Sequence, residues 1–349
     1  MLTDIFAYRY LDQPIWSNYT EIEQRLLNQV FGVVKDALLP YSHDGNVNER
    51  KNKWKILHDK LARELGVAEL STRYYSVTQR NAFGQEFPVS GLFPWDHVCE
   101  QFVNASYSRQ CEADRFIKER ISFIELALRL RGDDIASANS QLASEIRKAK
   151  ITDACRSGGP LGNSVDLIVN NNKVLNSAFE TQIDELNERF RRAKAPLTYH
   201  NGFIQLAVDQ HVEKEIRKPF WDLVSDPLWR NVDADMKEAL DRRDSNGRDS
   251  VIFATRALES AIKIISDTKG WTRGTENGAL QYVDNLISKA NGSYLATWEG
   301  DMLKDYFRKV RNPIAHGSGS ESMPELTLFQ TDWAIEAAMS WVRTLVRRM

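Results

Sequence analysis

Ser250-Val-Ile-Phe-Ala-Thr-Arg-Ala-Leu-Glu-Ser-Ala-Ile-Lys-Ile-Ile-Ser-Asp267 is the stretch whose reading decides the fold class. Val251, Ala254, Leu258, Ala261, Ile262 and Ile265 fall at i, i+3, i+7, i+10, i+11 and i+14, which is one apolar face of an α-helix. Gly270 supplies the stop. Downstream the pattern repeats over Ala279–Ala290 and over Trp298–Val310, where Leu303, Phe307 and Val310 share a face. Thr327 with Gln330 forms a capping box that opens a fourth helix through Ala334, Ala338, Trp341 and Leu345. The last third therefore reads as a helical bundle, with its core at about 245–349.

Upstream, Leu197-Thr-Tyr-His200 and Phe203-Ile-Gln-Leu206 flank Asn201-Gly202, the strongest short-range hairpin signal. A helix precedes the hairpin at about Asn176–Arg192. The run 156–164, with Gly158, Gly159, Pro160 and Gly162, is the clearest punctuation in the chain. It divides residues 1–160, a mostly helical N-terminal region, from residues 165–349. In the first region Ile22–Leu39, Trp54–Leu65 (with Gly66 as its C-terminal residue) and Glu112–Arg131 carry helical periodicity. Residues 71–96 interleave Tyr74, Tyr75, Phe83, Phe87, Phe93 and Trp95 with Gly and Pro, and read as an ordered aromatic connection without regular helix. The expected fold is mainly α: a helical N-terminal domain, a short β-hairpin and a C-terminal bundle.

Composition narrows the function classes. The 349 residues carry 46 Lys and Arg against 48 Asp and Glu, so a histone-like polycation is excluded while a local basic patch is not. With 9 Trp, 11 Tyr and 15 Phe, whole-chain disorder is excluded. No apolar run reaches about 18 residues, so no transmembrane helix is expected. The opening Met1-Leu2-Thr3-Asp4-Ile5 lacks the marks of a secretory signal, and a cytoplasmic protein is expected. Cys99, Cys111 and Cys155 form neither a disulfide framework nor a zinc ribbon. Walker, GxGxxG, HExxH and GxSxG patterns are absent, so neither a metal nor a cofactor is expected. His43, His58, His97, His200 and His211 are isolated in sequence and read as surface or capping residues.

Chemistry concentrates at Arg311-Asn-Pro-Ile-Ala-His316. On an unbroken helix Arg311 and His316 lie about 140° apart. Pro313 disfavours helical backbone at Asn312, so a bend or break is expected that brings guanidinium and imidazole to one cleft. Arg308, Lys309 and Arg311 gather positive charge beside a titratable His. That suits a phosphodiester: Arg presents a planar, permanently charged fork, and His moves a proton near neutral pH. The bland alternative is that basic residues at this helix end simply answer the macrodipole.

Arg311-Asn312 followed by His316-Gly317 resembles the RN-x4-H signature of the HEPN superfamily of ribonucleases. Arg256–Ile265 followed by Lys269-Gly-Trp271 resembles the first bundle helix of abortive-infection HEPN proteins. Gln182–Phe190, the hairpin Tyr199–Gly202 and the opening Asp4-Ile-Phe6 are similar to AbiJ-like proteins. The resemblance implies a bundle that homodimerises with two Arg–His motifs facing a shared cleft. It also implies a metal-independent endoribonuclease toxin of anti-phage defence, which cuts by attack of the ribose 2′-OH and leaves a cyclic phosphate. Carried over to this chain, His316 transfers protons, Arg311 holds the charge of the transition state and Asn312 orients the scissile phosphate. Glu259, four residues from Lys263 and so on the same helix face, is a secondary catalytic candidate. Arg308, Lys309 and Lys263 are candidate RNA contacts. The expected partners are RNA, with tRNA among the targets, a second copy of the chain, and a regulatory partner or phage-derived trigger sensed by the N-terminal region. The competing reading is a non-catalytic RNA- or nucleotide-binding regulatory module.

Overall fold

The computed structural model describes residues 4–38, 47–80, 84–108, 111–155, 164–207, 212–245, 247, 249–315 and 326–349. They form two compact units, Met1–Ile204 and Gln205–Met349. The fold is mainly α, with two small two-stranded sheets.

The first unit holds helices α1 (Phe6–Arg9), α2 (Glu21–Leu38), α3 (Val47–Leu65), α4 (Trp95–Val103), α5 (Ala113–Cys155) and α6 (Ser164–Arg192). Thr20 opens α2, its N–H bonded to Glu23 (2.7 Å) in the manner of a capping box. Helix α2 packs on α5, with Phe31 against Phe123 (6.1 Å between ring centres), and Leu27, Val30 and Val34 of the one and Ile117, Ile121, Ile124 and Leu128 of the other are buried. The unit extends past residues 156–163, where the sequence places a boundary and which lie outside the described residues. It includes α6, with Leu186 and Phe190 fully buried. Beyond Ile135, helix α5 is mostly exposed and pairs with α6. There Asn139 exchanges side-chain hydrogen bonds with Asn172 (2.7 Å) and Asn176 (2.9 Å), fixing the register of the two helices.

Residues 71–96 contain regular structure that the sequence does not announce. β1 (Tyr74–Arg80) and β2 (Glu86–Leu92) pair antiparallel, with Val77 opposite Val89 and Arg80 opposite Glu86. Most of the ribbon is exposed, including Tyr74, Val77, Phe87 and Leu92. Its base is held by stacking, Tyr75 on Phe93 (4.7 Å) and the Arg73 guanidinium over Trp95 (3.9 Å).

The second hairpin, β3 (Leu197–His200) and β4 (Phe203–Leu206), turns at Asn201 and Gly202, both at positive φ. Within the first unit it is tied to Glu125, a fully buried carboxylate. Glu125 Oε1 accepts from Arg129 Nη2 (2.8 Å) and Arg9 Nη1 (3.2 Å); Oε2 accepts from Arg9 Nη2 and from the Ile204 N–H (2.7 Å). Both guanidinium groups lie over the Phe203 ring. A buried charge is tolerated only when it is paired and hydrogen-bonded in this way.

The second unit is the expected bundle. It contains α7 (Lys218–Val224), α8 (Arg230–Asp244), α9 (Ser250–Thr268), α10 (Ala279–Ile287), α11 (Thr297–Tyr306), α12 (Asn312–Ala315) and α13 (Leu328–Arg347). Helix α9 lies at the centre, with Ala254, Leu258, Ala261, Ile262 and Ile265 inaccessible to solvent. It packs on α8, α10 and α13. Helices α10 and α11 meet at Gly300, where a Cβ would stand 2.3 Å from Ile287 Cγ2. Glu299 holds the far end of α13 through Arg348 (2.7 and 3.0 Å). The Thr327–Gln330 capping box opens α13 as the sequence indicates. Among the described residues, no helix is long and apolar enough to cross a membrane.

Candidate functional site

Pro313 acts differently from the expectation. The backbone does not break: Asn312 keeps helical angles (φ −62°, ψ −40°) and the chain stays helical from α11 through Ala315. The accommodation lies just before it. Phe307–Arg311 form a π-turn, and the Asn312 N–H bonds to the Phe307 carbonyl five residues back. A proline has no N–H, and its ring crowds the carbonyl four residues earlier; the wider turn relieves that conflict without ending the helix. Ile314, packed with Val251 and Ala334, pins the segment to the bundle. The Tyr306 hydroxyl donates to the Ala334 carbonyl (2.7 Å).

Arg311, the last residue of the π-turn, lines a groove of about 580 Å³. Asn231, Ala234 and Asp235 of α8 form one wall, at i, i+3 and i+4. Arg256, Glu259, Ser260 and Lys263 of α9 form the other, at i, i+3, i+4 and i+7. These α9 positions face away from the buried stripe of the same helix, so one helix builds both core and groove.

The structure thus brings together three residues singled out from sequence: Glu259, Lys263 and Arg311. Lys263 Nζ is 2.7 Å from Glu259 Oε1. Arg256, on the opposite side of Glu259 along α9, is 3.2 Å from Asp235. Among the described residues no carboxylate lies within ion-pair distance of Arg311, whose hydrogen bond goes to the Asn312 side chain (3.3 Å). Burial holds the Asp235 carboxyl above the usual carboxylate range; Arg256 pulls it down by less than burial raises it, and Glu238 adds to the rise. The groove therefore carries three cations against two carboxylates. Such a site attracts an anion with several oxygens, and Arg311 is the cation with no charge to give up first.

Arg308 and Lys309 are not part of the groove lining. Both lean on Asp305, at 3.9 and 2.8 Å, and Lys309 foremost holds that carboxyl below its usual range. His316 lies outside the described residues, as do His43 and His211. His58 and His200 are buried rather than at the surface. His58 Nε2 accepts the Leu70 N–H (3.1 Å) and its Nδ1 meets Asp59 (3.0 Å), a structural role in the first unit. Sequence reasoning missed Asp235 and Asn231. They sit on α8, where Val232, Met236, Ala239 and Leu240 mark the buried face but nothing local tells which of the charged residues beside it meets another helix. Arg256 had a signal, one turn before Glu259. Among the described residues no group of three or more His, Cys, Asp or Glu is placed to hold a metal ion.

Compared with known proteins, the chain matches the family model AbiJ N-terminal domain 4 over residues 4–222. No curated protein and no solved structure matches it.

Proposed function

The chain belongs to the AbiJ N-terminal domain 4 family, and from that membership together with the groove we propose that it is an endoribonuclease of abortive-infection defence. The family match supports the defence role. It covers the first unit and the start of the second, and does not reach the groove residues. The nuclease reading rests on the groove itself, and the observation that carries it is Arg311: a half-buried guanidinium, free of carboxylates among the described residues, in a polar groove beside Glu259 and Lys263.

In this reading the scissile phosphate sits on Arg311, which stabilises the charge that builds up in the transition state. Asn312, bonded to Arg311, holds the guanidinium plane and the phosphate in register. His316 moves the proton between the ribose 2′-OH and the leaving 5′-oxygen. Glu259 keeps Lys263 directed into the groove and is the second candidate for proton transfer. The chain works as a homodimer through its second unit. The N-terminal region holds the nuclease silent until a trigger arrives, since an unrestrained RNase would damage its own cell.

The test is incubation of wild type, Arg311→Ala and His316→Ala with total RNA and a defined tRNA in EDTA, with extract of phage-infected cells added as a source of trigger. Cleavage by wild type alone, leaving cyclic-phosphate ends, is the expected result. Equal cleavage by all three would remove this motif from the mechanism. Binding of RNA or nucleotide without cleavage, in the presence of cell extract from phage-infected cells as a source of trigger, would favour the non-catalytic module.

A further inference from the structure

The groove is longer than one phosphate needs. Arg256 and Lys263 lie two turns apart on α9, about 10 Å along its axis, and both line the same groove as Arg311. Each of these two cations is covered by a neighbouring carboxylate, Arg256 by Asp235 and Lys263 by Glu259. The Asp235 pair differs from an ordinary surface ion pair. Asp235 is largely buried while Arg256 is half exposed and held over the Phe253 ring (5.0 Å). The carboxylate pays the larger desolvation penalty, and its partner is the group with room to turn toward solvent.

We propose that this groove is a track for a single-stranded RNA backbone, in which Arg256 contacts a second phosphate next to the one on Arg311, and Asp235 is the placeholder that Arg256 leaves when the strand enters. This rests on the reading that the groove takes RNA, and it deepens that reading by naming an extended strand, rather than a mononucleotide, as the ligand. Positive charge tracking a backbone is the recurring means of holding single strands. The exchange has a cost, because it leaves a largely buried carboxylate without its cation, and Asp235→Asn removes that cost. Asp235 also keeps the empty groove from presenting a second uncompensated cation, beside Arg311, to every polyanion in the cell.

The experiment uses the full chain and a fluorescein-labelled 2′-O-methyl oligouridylate of about twelve nucleotides, which cannot supply the attacking hydroxyl and so separates binding from cleavage. Anisotropy is read across a salt series. Arg256→Gln is expected to weaken binding about fivefold and to flatten the dependence of log K on log salt by about 0.7, the loss of one phosphate contact to a single strand. Asp235→Asn is expected to tighten binding about threefold at low salt. Lys289→Gln, the same loss of charge outside the groove, is expected to change neither. An unaltered salt slope in Arg256→Gln, weaker binding in Asp235→Asn, uridine monophosphate held as tightly as the strand, or no binding by wild type each overturns the proposal. Cleavage of the corresponding ribo-strand is followed in parallel. Binding that depends on Arg256, with no cleavage by wild type even when extract of phage-infected cells is added as a source of trigger, removes the nuclease reading alone. Cleavage that depends on His316 and is indifferent to Arg256 removes this proposal alone.

Discussion

Arg217 and Arg311 stand at the same place in two copies of one local device. Each is the last of five residues in a π-turn, Glu213–Arg217 and Phe307–Arg311, and each is followed by one residue and then a proline, Pro219 and Pro313. In both, the residue before the proline bonds its N–H five residues back, Lys218 to Glu213 and Asn312 to Phe307. The device keeps a helix running through a proline, and it changes the direction in which the arginine points. Arg217 is turned inward and buried; Arg311 is turned into the groove.

Pro313→Ala tests that coupling. Alanine restores the missing donor and favours an ordinary α-turn, so thermal stability is expected to hold or rise. The direction of Arg311 is expected to change with the turn, lowering RNA cleavage at least about tenfold. Circular dichroism melting and single-turnover cleavage on the same preparations read both effects. Unchanged cleavage would show that the π-turn does not position Arg311.

Glu125→Gln is expected to destabilise the first unit by about 3 kcal/mol. The substitution keeps the shape and removes the charge that Arg9 and Arg129 share, so that Arg9 keeps Asp4 (3.0 Å) and Arg129 keeps the Gly202 and Asp4 carbonyls. Urea denaturation gives the magnitude. Hydrogen exchange at the Ile204 amide, which bonds Glu125 Oε2, is expected to accelerate before global unfolding.

Gly300→Ala is expected to cost about 1–3 kcal/mol by overpacking, because the new methyl meets Ile287 across the α10–α11 contact. Ile287→Ala on its own leaves a cavity. In the double variant the methyl fills part of that space, and the two losses are expected to sum to more than the measured total in a double-mutant cycle.

Glu299 gives a pH dependence with a definite sign. Hydrogen bonds from Arg348, and from the Ala296 N–H (2.9 Å), hold its carboxyl below the usual carboxylate range despite burial. The folded state therefore favours the ionised form. The stabilisation is present above the unfolded-state value and is lost as the pH falls through the folded one. Glu299→Gln is expected to lower Tm at pH 7, and the gap to wild type is expected to shrink as acid is added below about pH 4. A gap that stays constant with pH would contradict this role.

Legibility in the sequence followed periodicity. Ser250–Asp267 was readable because core contacts on one side of α9 repeat without interruption, and its observed span, Ser250–Thr268, differs by one residue. Asn201-Gly202 was readable because a two-residue turn demands positive φ at both positions. Helix α5 runs on to Cys155, past the Glu112–Arg131 stretch whose periodicity is readable, since its second half rests on α6 through Asn139 rather than through an apolar stripe. The β1–β2 ribbon was hidden: Pro88 and Gly91 break the run of strand formers, and little of either face is buried to impose alternation. At the site, Glu259 and Lys263 were legible as a spacing within one helix. Asp235 was not, because it meets Arg256 across two helices, and no local pattern encodes a tertiary contact.

The β1–β2 ribbon bears on how the protein behaves in concentrated solution. Both of its strands are edges, and its Val77–Val89 pair and Phe87 give it an apolar face. An open edge with such a face invites another chain to add a strand. Pro88 withholds a donor from one side, and the Arg80–Glu86 pair places charge toward the end of the ribbon. Colloidal stability of the chain is thus guarded by three residues in a stretch that contributes little to its core. Replacing Pro88 with valine converts a protected edge into a sticky one, and the preparation is expected to lose solubility while its melting temperature stays where it was.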